Sequence, residues 1–560
     1  MQARWIRTLN TVRYLKLSQA FYFVLRRGFR SRHITQSSEL EITLRSNDEL
    51  AFPNENDSLK ESTRSFTFLN VTRSFSNAID WCPSDVNRLW RYNLHYFDYL
   101  KSPSTSYEFN ASIIDDWIEQ NPQGTQPAWE PYTASLRITN WCKFFLQLPQ
   151  ERVPQTWLDS LYEQSMWLSK NLEYHILANH LFENLRALFF AGLTLTGDQT
   201  KAWLATAQRE LEVQLKEQFL PDGGHYERSP QYHAIVIEGC LDVLNLCEAN
   251  RNRVNARLTS QLREVISKGL AFTTSIVDLN GNIPLLGDSA YAASTSHADL
   301  AAYAQRLGLT VNTTHSVLIN APDSGIYGYR AARDWFLIDC GDIGPAYQPG
   351  HTHCDFLSFV VCVDGEPLIV DSGVYEYEPG EMRTYARSTA AHNTLSLDNT
   401  EQSQIWGEFR VAKRAKRLHA SLTSNDHRVC FAGAYRGFYD TTETVEHHRA
   451  LTLALENGAI DAIKVSDRVV GKKMHTVTQR LHLHPNVHAK KDDHGLLLTG
   501  VNGNMWRLTH DASAQLSLEP SWYCPEFGKR LPNQCVLLKS TSTLPDEFSF
   551  HLARVSSTKN

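Results

Sequence analysis

Residues 180–195 read HLFENLRALFFAGLTL, a stretch whose apolar residues recur every three or four positions. This spacing predicts an α-helix with a buried face. The same spacing occurs in WLDSLYEQSMWLSKNL (157–172), AWLATAQRELEVQLKEQF (202–219), YHAIVIEGCLDVLNLC (232–247) and LREVISKGLAFTTSIV (262–277). Short breaks such as PDGG at 221–224 separate these stretches. Successive helices with short turns predict a helical toroid or solenoid rather than a compact bundle.

The pattern changes near residue 322. Segments such as GIYGYRAARDWFLIDCGD (325–342) and FLSFVVCVDGEPLIVDSG (356–373) alternate apolar and polar residues between Gly and Asp turns, which predicts antiparallel strands. We therefore expect an α+β multidomain protein, with a helical front half followed by an antiparallel β-sandwich. The predicted domains are a basic N-terminal segment with a polar linker (1–80), a helical domain (81–320) and a β-sandwich domain (321–560). A chain of 560 residues is long enough for two large domains.

The composition restricts the partners and the compartment. A net charge of -6 argues against general nucleic-acid binding, which requires a dense basic face. The ten cysteines include no CxxC pair, so we expect reduced, buried thiols and favour a reducing, cytoplasmic location. No recognisable signal peptide is found, because the apolar run AFYFVL is too short for one.

The N-terminal stretch is strongly basic, with eight Arg or Lys and no acidic residue before Glu39. Two interpretations stay open. The segment is either a solvated or partner-binding amphipathic helix, or it attaches the protein to an anionic membrane surface.

Two polar clusters stand out in the helical half. Asn179, His180 and Glu183 lie within one turn of a helix start, where Asn179 could equally be the N-cap with Glu183 in a capping arrangement. In DGGHYERSPQYH (222–233), Glu227 precedes Tyr232 at the start of the next helix. The alternative for this second cluster is an ordinary surface loop before a helix.

The β half contains GHTHCD at 350–355, which could be part of a metal site, a general base with its partner, or a plain strand. His353, Asp371 and His392 together offer a ligand set that suits zinc. Arg383 and Arg387 follow nearby, and their planar guanidinium groups bind carboxylate or sulfate in a bidentate manner.

Taken in order, these motifs resemble the heparinase II/III-like polysaccharide lyases. The resemblance runs from about residue 85 to residue 420 and rests on NLHYFDYL, WEPYTASLRITNW, NHLFEN, DGGHYERSPQYH, LLGDSAY, GHTHCDFLSF, VDSG and YARSTAAHNT. It implies an (α/α) toroid, an incomplete barrel, followed by a β-sandwich. It also implies eliminative cleavage of an acidic, uronate-containing polysaccharide such as a glycosaminoglycan. The basic N-terminal segment and the lack of a recognisable signal peptide would instead suit a bacterial capsule or exopolysaccharide as the substrate.

The resemblance implies a role for each motif. Asn179, assisted by His180, would neutralise the uronate carboxylate. Tyr232 would protonate the leaving oxygen and, for one C5 configuration, also remove the C5 proton, while His351 would be the base for the other. A structural Zn²⁺ held by His353, Asp371 and His392 would brace the loop that presents His351. The predicted substrate-binding residues are His180, Glu183, Glu227, His233, Arg383, Arg387, Trp129 and Tyr132.

Two other functions remain open at this stage. A uronyl C5-epimerase shares the first chemical step and returns a proton to C5 instead of expelling the C4 oxygen. A non-catalytic glycan-binding or assembly protein would tolerate replacement of Asn179, Tyr232 and His351. The sequence makes no prediction of the oligomeric state.

Overall fold

The structure is a computed structural model that describes residues 2–28, 50, 52, 58–76, 78–312, 314–441 and 443–555. The first part of the predicted polar linker, which runs from about residue 33 to residue 78, lies outside the described residues up to residue 49.

The first half of the chain is mainly helical, as the apolar spacing predicts. Its helices are α1 (Gln2–Val12), α2 (Leu17–Gly28), α3 (Arg88–Tyr96), α4 (Tyr107–Gln120), α5 (Pro131–Leu146), α6 (Gln155–Ser169), α7 (Ala178–Thr194), α8 (Thr200–Gln218), α9 (Pro230–Ala249), α10 (Ala256–Ile276) and α11 (His297–Arg306). A further short helix, α12 (Glu381–Arg387), lies within the β half.

Helix α7 lies at the centre of the helical half. It contacts α5, α6, α8 and α9, and nearly all of its residues are buried. A helix that is apolar on all sides must be surrounded by other elements to be stable. The half-buried His180, in its first turn, is the main departure from this burial and faces the domain junction.

The second half of the chain forms strands. Together with a small sheet near the N-terminus, the strands are β1 (Leu59–Lys60), β2 (Ser65–Phe68), β3 (Val71–Ser74), β4 (Leu318–Ala321), β5 (Ile326–Arg330), β6 (Trp335–Asp339), β7 (Phe359–Val363), β8 (Glu366–Ile369), β9 (Leu395–Leu397), β10 (Ile405–Trp406), β11 (Arg410–Val411), β12 (Lys416–Asn425), β13 (Arg428–Gly437), β14 (Val445–Glu456), β15 (Ala459–Val470), β16 (Met474–His482), β17 (His488–Asp492), β18 (Gly495–Thr499), β19 (Met505–His510), β20 (Gln515–Glu526), β21 (Lys529–Thr543) and β22 (Asp546–Arg554).

Three antiparallel sheets share the core of the β half. Their strand orders are β4-β5-β6-β7-β8, β20-β21-β16-β9 and β12-β13-β14-β15-β22-β19-β18-β17. Alternate residues of the long strands point inward, as in β15, where Ile463, Val465 and Val469 are fully buried. The predicted combination of a helical half and an antiparallel β half is therefore confirmed.

The region predicted as an N-terminal segment and linker contains more structure than expected. Besides α1 and α2, it forms the three-stranded sheet β1-β2-β3. Leu59 and Phe66 are fully buried in the core of the helical half, so this sheet is part of the folded body. The prediction missed it because two- to four-residue strands are too short to show a period of two.

The two halves meet along α10 and the five-stranded sheet. Phe272 and Ile276 of α10 pack with Trp335 and Leu337 of β6. Gly287, in the loop after α10, has φ +53°, and a Cβ there would lie 2.8 Å from the carbonyl oxygen of His351. This close approach requires glycine. Among the described residues, no helix combines the length and the apolar character needed to cross a bilayer.

A buried charge network anchors the loops of the β half. Arg449 donates to both carboxylate oxygens of Asp467, at 2.7 and 2.8 Å, and His447 and Gln479 also contact that carboxylate. The Nη1 of Arg449 donates to the carbonyl oxygens of Leu357 and Asn393. Because those carbonyls follow His353 and His392 in the chain, the network holds the loops that contain both histidines.

We predict that Asp467→Asn lowers the free energy of unfolding of the β half by about 3 kcal/mol at pH 7, because Arg449 is left buried without a carboxylate. Burial opposes ionisation, but Arg449 and His447 hold the pKa of Asp467 far below its ordinary value. Its stabilising contribution is therefore complete above the unfolded-state pKa of about 3.9 and is lost as the pH falls toward the folded-state pKa. Urea unfolding at pH 7 and at lower pH measures both effects.

The matched control for this prediction is Asp492→Asn, which breaks an exposed pair with Arg507. We expect a much smaller change from this variant than from Asp467→Asn, because exposed ion pairs contribute little to stability. Equal effects from the two variants, or a difference from the wild type that does not shrink on acidification, would contradict the prediction.

Candidate functional site at the domain junction

The candidate site is formed where loops of the two halves meet. The helical half contributes the first turn of α7, the loop before α9 and the loop after α10. The β half contributes the segment around His351 and the segment from Asp371 to His392. The side chains that line this junction are half-buried aromatic and polar residues, namely Tyr96, Tyr132, His180, Tyr232, His351 and Tyr377.

Helix α7 begins on a strained backbone. Leu177 has φ +68° and Ala178 has φ +56°, a region that residues with a side chain rarely adopt. The next residue, Asn179, donates from its backbone N–H to Glu227 Oε1 at 2.9 Å and from its side-chain amide to both carboxylate oxygens of Glu227. Asn179 is therefore not the N-cap, and the capping alternative is wrong.

Tyr232 lies in the first turn of α9, which Pro230 and the N-cap Ser229 initiate. Its ring stacks on the imidazole of His351, with centroids 3.6 Å apart and planes inclined by 23°. Its hydroxyl lies 3.5 Å from the hydroxyl of Tyr377. Burial raises the pKa of Tyr232 well above its ordinary value. The phenol therefore holds its proton in a half-buried position at the junction.

His351 lies between two carboxylates. Its Nδ1 is 3.0 Å from Asp288 Oδ2, and its Nε2 is 3.2 Å from Glu227 Oε2. Burial by itself would lower the pKa of His351, but the bonds to Asp288 and Glu227 raise it to about 9. Burial likewise opposes ionisation of Glu227, whose pKa is nevertheless lowered to about 2 by His351 and by donors that include Asn179. The imidazole is thus held as a cation between two anions.

Asp288 joins these groups. Its fully buried carboxylate contacts His351, contacts His353 Nε2 at 2.8 Å and pairs with both Nη atoms of Arg383. Burial opposes ionisation, yet Arg383 and the two histidines hold the pKa of Asp288 well below its ordinary value. Its backbone carbonyl accepts from Ser229, so it also fixes the start of α9.

A compact group of metal-ligand side chains lies behind His351. Ligand atoms of His353, Asp355 and His392 lie within 4.8 Å of one another, and all three residues are buried. His353 Nδ1 and His392 Nε2 find no hydrogen-bond partner among the described residues. Such buried, unpaired nitrogens suit a metal ion, since a carboxylate orients the other nitrogen of each ring.

The predicted third ligand, Asp371, is placed differently. Its Oδ2 contacts His392 Nδ1 at 2.8 Å, and its Oδ1 accepts from the backbone N–H of Gly373. Asp371 therefore orients His392, and Asp355 takes its place in the compact group. The sequence analysis missed Asp355 because it was considered only as the end of the GHTHCD motif.

Two of the predicted substrate-binding residues line the junction. The rings of Tyr132 and His180 are 4.5 Å apart, and both side chains are half-buried. Glu173 contacts His180 Nδ1 at 3.2 Å. Glu227 is also at the junction, but it is buried and binds Asn179 and His351, so its position indicates that it orients them.

The other predicted substrate-binding residues are buried with partners of their own. Trp129 stacks on Trp117 in the helical core and donates to the carbonyl of Asn121. Glu183 pairs with Arg186 within α7. Their positions give both residues packing roles, contrary to the prediction that they contact substrate.

The remaining three predicted residues are also buried and bonded to other parts of the protein, so we assign them supporting roles. His233 bonds to the backbone of His225 and Gly269. Arg383 pairs with Asp288, while Arg387 donates to the carbonyls of Gly407 and Thr352. Both guanidinium groups are buried and occupied, so neither is free to bind a carboxylate or sulfate. The position of the two arginines near the histidines in the sequence could not show whether they bind substrate or are paired within the protein.

The sequence analysis missed two residues at the centre of the site. Asp288 lies in the LLGDSAY motif and was given no role, although an acidic residue directly after a glycine turn can indicate a functional site. Tyr377, six residues after Asp371, packs its ring against Phe409 and Phe527 beside the Tyr232 hydroxyl. No spacing rule links Tyr377 to Tyr232, because they lie in different halves.

Comparison with known families gives a consistent result. Residues 29–307 match the model described as "Heparinase II/III N-terminus", and residues 313–551 match "Heparinase II/III-like, C-terminal". The chain belongs to the heparinase II/III-like family. This confirms the resemblance that the ordered motifs indicate.

The individual relatives share low sequence identity with this chain. A heparin-sulfate lyase of Pedobacter heparinus is 26% identical over 318 residues, which cover 51% of this chain and 47% of that enzyme. A heparin-sulfate lyase of Bacteroides thetaiotaomicron is 21% identical, covering 66% of this chain and 58% of the relative. The chain thus spans about half of the length of these curated relatives.

Solved structures support the fold over most of the chain. A heparinase III crystal structure matches with a TM-score of 0.69 at 18% identity, covering 96% of this chain and 91% of that one. A heparan sulfate lyase structure from Pedobacter heparinus matches with a TM-score of 0.59 at 18% identity, covering 92% and 87%. At this identity the likeness shows a common fold.

We predict that Asp288→Asn lowers the free energy of unfolding by about 3 kcal/mol, because Arg383 stays charged in a buried position without its carboxylate. Urea unfolding followed by tryptophan fluorescence measures this change. The control is Asp342→Asn, which affects a partly exposed carboxylate 3.8 Å from Arg417 and should change stability by less than about 1 kcal/mol. Similar small changes in both variants would show that Asp288 does not hold the junction together.

Proposed function

We propose that this protein is a polysaccharide lyase that cleaves a uronate-containing glycan by β-elimination. The observation that supports this most directly is the stacking of Tyr232 on His351 at the junction of the two halves, with Glu227 and Asp288 bonded to that imidazole. The Tyr232 hydroxyl has a long contact with Tyr377 and is available to a reacting sugar.

The proposed reaction breaks the C5–H bond and the bond from C4 to the glycosidic oxygen, and it forms a C4–C5 double bond. Burial raises the pKa of Tyr232, so the phenol must first release its proton to solvent. The resulting phenolate takes the C5 proton and then gives it to the leaving oxygen on the same face of the sugar. The tyrosine is a phenolate again at the end, and no other reactant is required. The cationic ring of His351, stacked on Tyr232, favours the phenolate that this route needs.

This proposal changes the predicted role of His351. Both ring nitrogens already donate to carboxylates, so neither is free to accept the C5 proton. Asn179 remains the proposed neutralising donor for the uronate carboxylate. For the Asn179 amide to bind the uronate carboxylate, it must give up one of its two contacts with Glu227. His180 and Tyr132 face the same junction and would contact the sugar.

The proposed substrate is a glycosaminoglycan-like polyuronate, because both curated relatives described above are heparin-sulfate lyases. A bacterial capsule or exopolysaccharide is the second candidate, since it carries the same uronate chemistry. A panel of heparan sulfate, heparin, chondroitin, hyaluronan, alginate and bacterial capsules distinguishes them.

We predict that Tyr232→Phe lowers the elimination rate at least ~100-fold, because it removes the group that transfers the proton. The assay is the ultraviolet absorbance of the conjugated C4–C5 double bond during incubation with the panel. The control is Tyr107→Phe, which removes a hydroxyl that donates to the carbonyl of Arg152 away from the junction, and which should retain wild-type rates.

The outcomes of this assay separate the alternative functions. Incorporation of solvent deuterium at C5 without a rise in absorbance would indicate a C5-epimerase. Binding of a glycan that persists in Tyr232→Phe, with neither reaction in the wild type, would indicate a non-catalytic glycan-binding protein. Equal elimination rates in Tyr232→Phe and the wild type would refute the proposed role of Tyr232.

We also propose that His353 and His392 hold a structural Zn²⁺ together with one carboxylate. The residues fit the ion, because both histidines present a buried, unpaired nitrogen and their other nitrogens contact Asp288 and Asp371. When bound, zinc would link the segment after His351 to the segment at His392. The geometry favours Asp355 over Asp371 as the third ligand.

We predict that His392→Ala and Asp355→Asn lose bound zinc, measured as metal content per chain after dialysis. Asp371→Asn should weaken zinc binding by about 10- to 100-fold, because it acts by orienting a ligand. His448→Ala, which removes a partly exposed histidine beside Glu446, is the control and should keep the metal. Zinc retained in Asp355→Asn but lost in Asp371→Asn would restore the ligand set predicted from sequence.

A further inference from the structure

Helices α1 and α2 present a large apolar surface to solvent. Leu9 is 68% exposed, Leu17 89% and Val24 70%, and these lie among further exposed apolar side chains on the same two helices and the turn between them. The further members are Trp5, Ile6, Val12, Leu15, Phe21 and Leu25. Single exposed apolar residues are ordinary, but so many of them along two successive helices indicate an interaction site. We call it the N-terminal apolar surface.

Other side chains of this segment fix it to the folded body. Tyr22 stacks on Tyr174 of the helical half, with centroids 4.8 Å apart. Thr11 accepts from the indole N–H of Trp406 in the β half at 3.0 Å. The two helices are therefore docked on both halves, and the apolar surface is what remains outside these contacts.

The same segment contacts the loop that leads to His351. Lys16 Nζ lies 4.1 Å from the ring centroid of Tyr347 and pairs with Glu217, to which the Tyr347 hydroxyl donates. Gln19 donates to the carbonyl of Tyr347. Whatever binds the N-terminal apolar surface is therefore held in a defined orientation relative to the candidate site.

Charge identifies the kind of partner. The whole chain has a net charge of -6, yet residues 1–38 contain eight Arg or Lys and no Asp or Glu. A basic segment with an exposed apolar face complements an anionic lipid surface, where apolar side chains enter the acyl boundary and cations meet the headgroups. A second copy of the chain would present the same cations, and like charges would oppose its docking on this surface.

We propose that α1 and α2 lie in the interface of an anionic membrane, with the N-terminal apolar surface inserted and the net positive charge of residues 1–38 attracted to the headgroups. This binding is independent of the proposed lyase function. It would hold the domain junction at a fixed orientation above the lipid surface, where a glycan at the membrane could enter it.

Vesicle flotation tests this proposal with the full-length protein. The vesicles consist of phosphatidylcholine alone or of phosphatidylcholine with phosphatidylglycerol. The variants Leu9→Glu and Val24→Glu each place a carboxylate in the N-terminal apolar surface. The controls are Val501→Glu and Met474→Glu, because these residues of the β half are each 68% exposed. Circular dichroism verifies that all four variants are folded.

The proposal expects flotation with the anionic vesicles, at least tenfold weaker binding to phosphatidylcholine alone, and weaker binding as salt is added. Leu9→Glu and Val24→Glu should reduce binding at least tenfold, while the two control variants should bind as the wild type does. Two results would overturn the proposal. One is no flotation, or equal flotation by all variants. The other is a concentration-dependent dimer that Leu9→Glu abolishes, which would show that a second copy covers the surface.

Discussion

The buried carboxylate of Asp288 is the interaction on which the site depends. It accepts from His351, His353 and Arg383 of the β half, while its own backbone bonds to His351 and to Ser229 at the start of α9. A buried anion is stable only when it is surrounded by donors and cations, so these groups must be assembled together for the fold to form. The junction between the halves is thus specified by charge as well as by apolar packing.

This arrangement explains how a helical half and a β half can together present one defined site. Arg449 and Asp467 hold the loops behind His353 and His392 from within the β half. The strained start of α7 places Asn179 against Glu227 from the helical half. The stacked pair of Tyr232 and His351 then spans the junction, one ring from each half, with little freedom to move. Such preorganisation is what stabilisation of developing charge requires.

The predictions from sequence succeeded where a residue type implies a local structure. The helical spacing gave α6 to α10 within a few residues, and the alternation after residue 322 predicted the β half. The short strands β1 to β3 were missed because they show no periodicity. Among the predicted site residues, His180 and Tyr132 lie at the junction, whereas Trp129, Glu183 and Arg387 are buried among partners of their own, which residue type and motif do not reveal.

The sequence by itself determined the order of helical and β halves, the family and the presence of Asn179, Tyr232 and His351, because periodicity and ordered motifs are local properties of a chain. The tertiary structure decided which polar side chains are paired within the protein and which are free to bind a substrate or a metal. Arg383 is occupied by Asp288, His351 is flanked by two carboxylates, and Asp355 rather than Asp371 joins the two histidines. These outcomes depend on contacts between residues far apart in the sequence, such as the 95 positions between Asp288 and Arg383, and no spacing rule encodes the distance between such side chains.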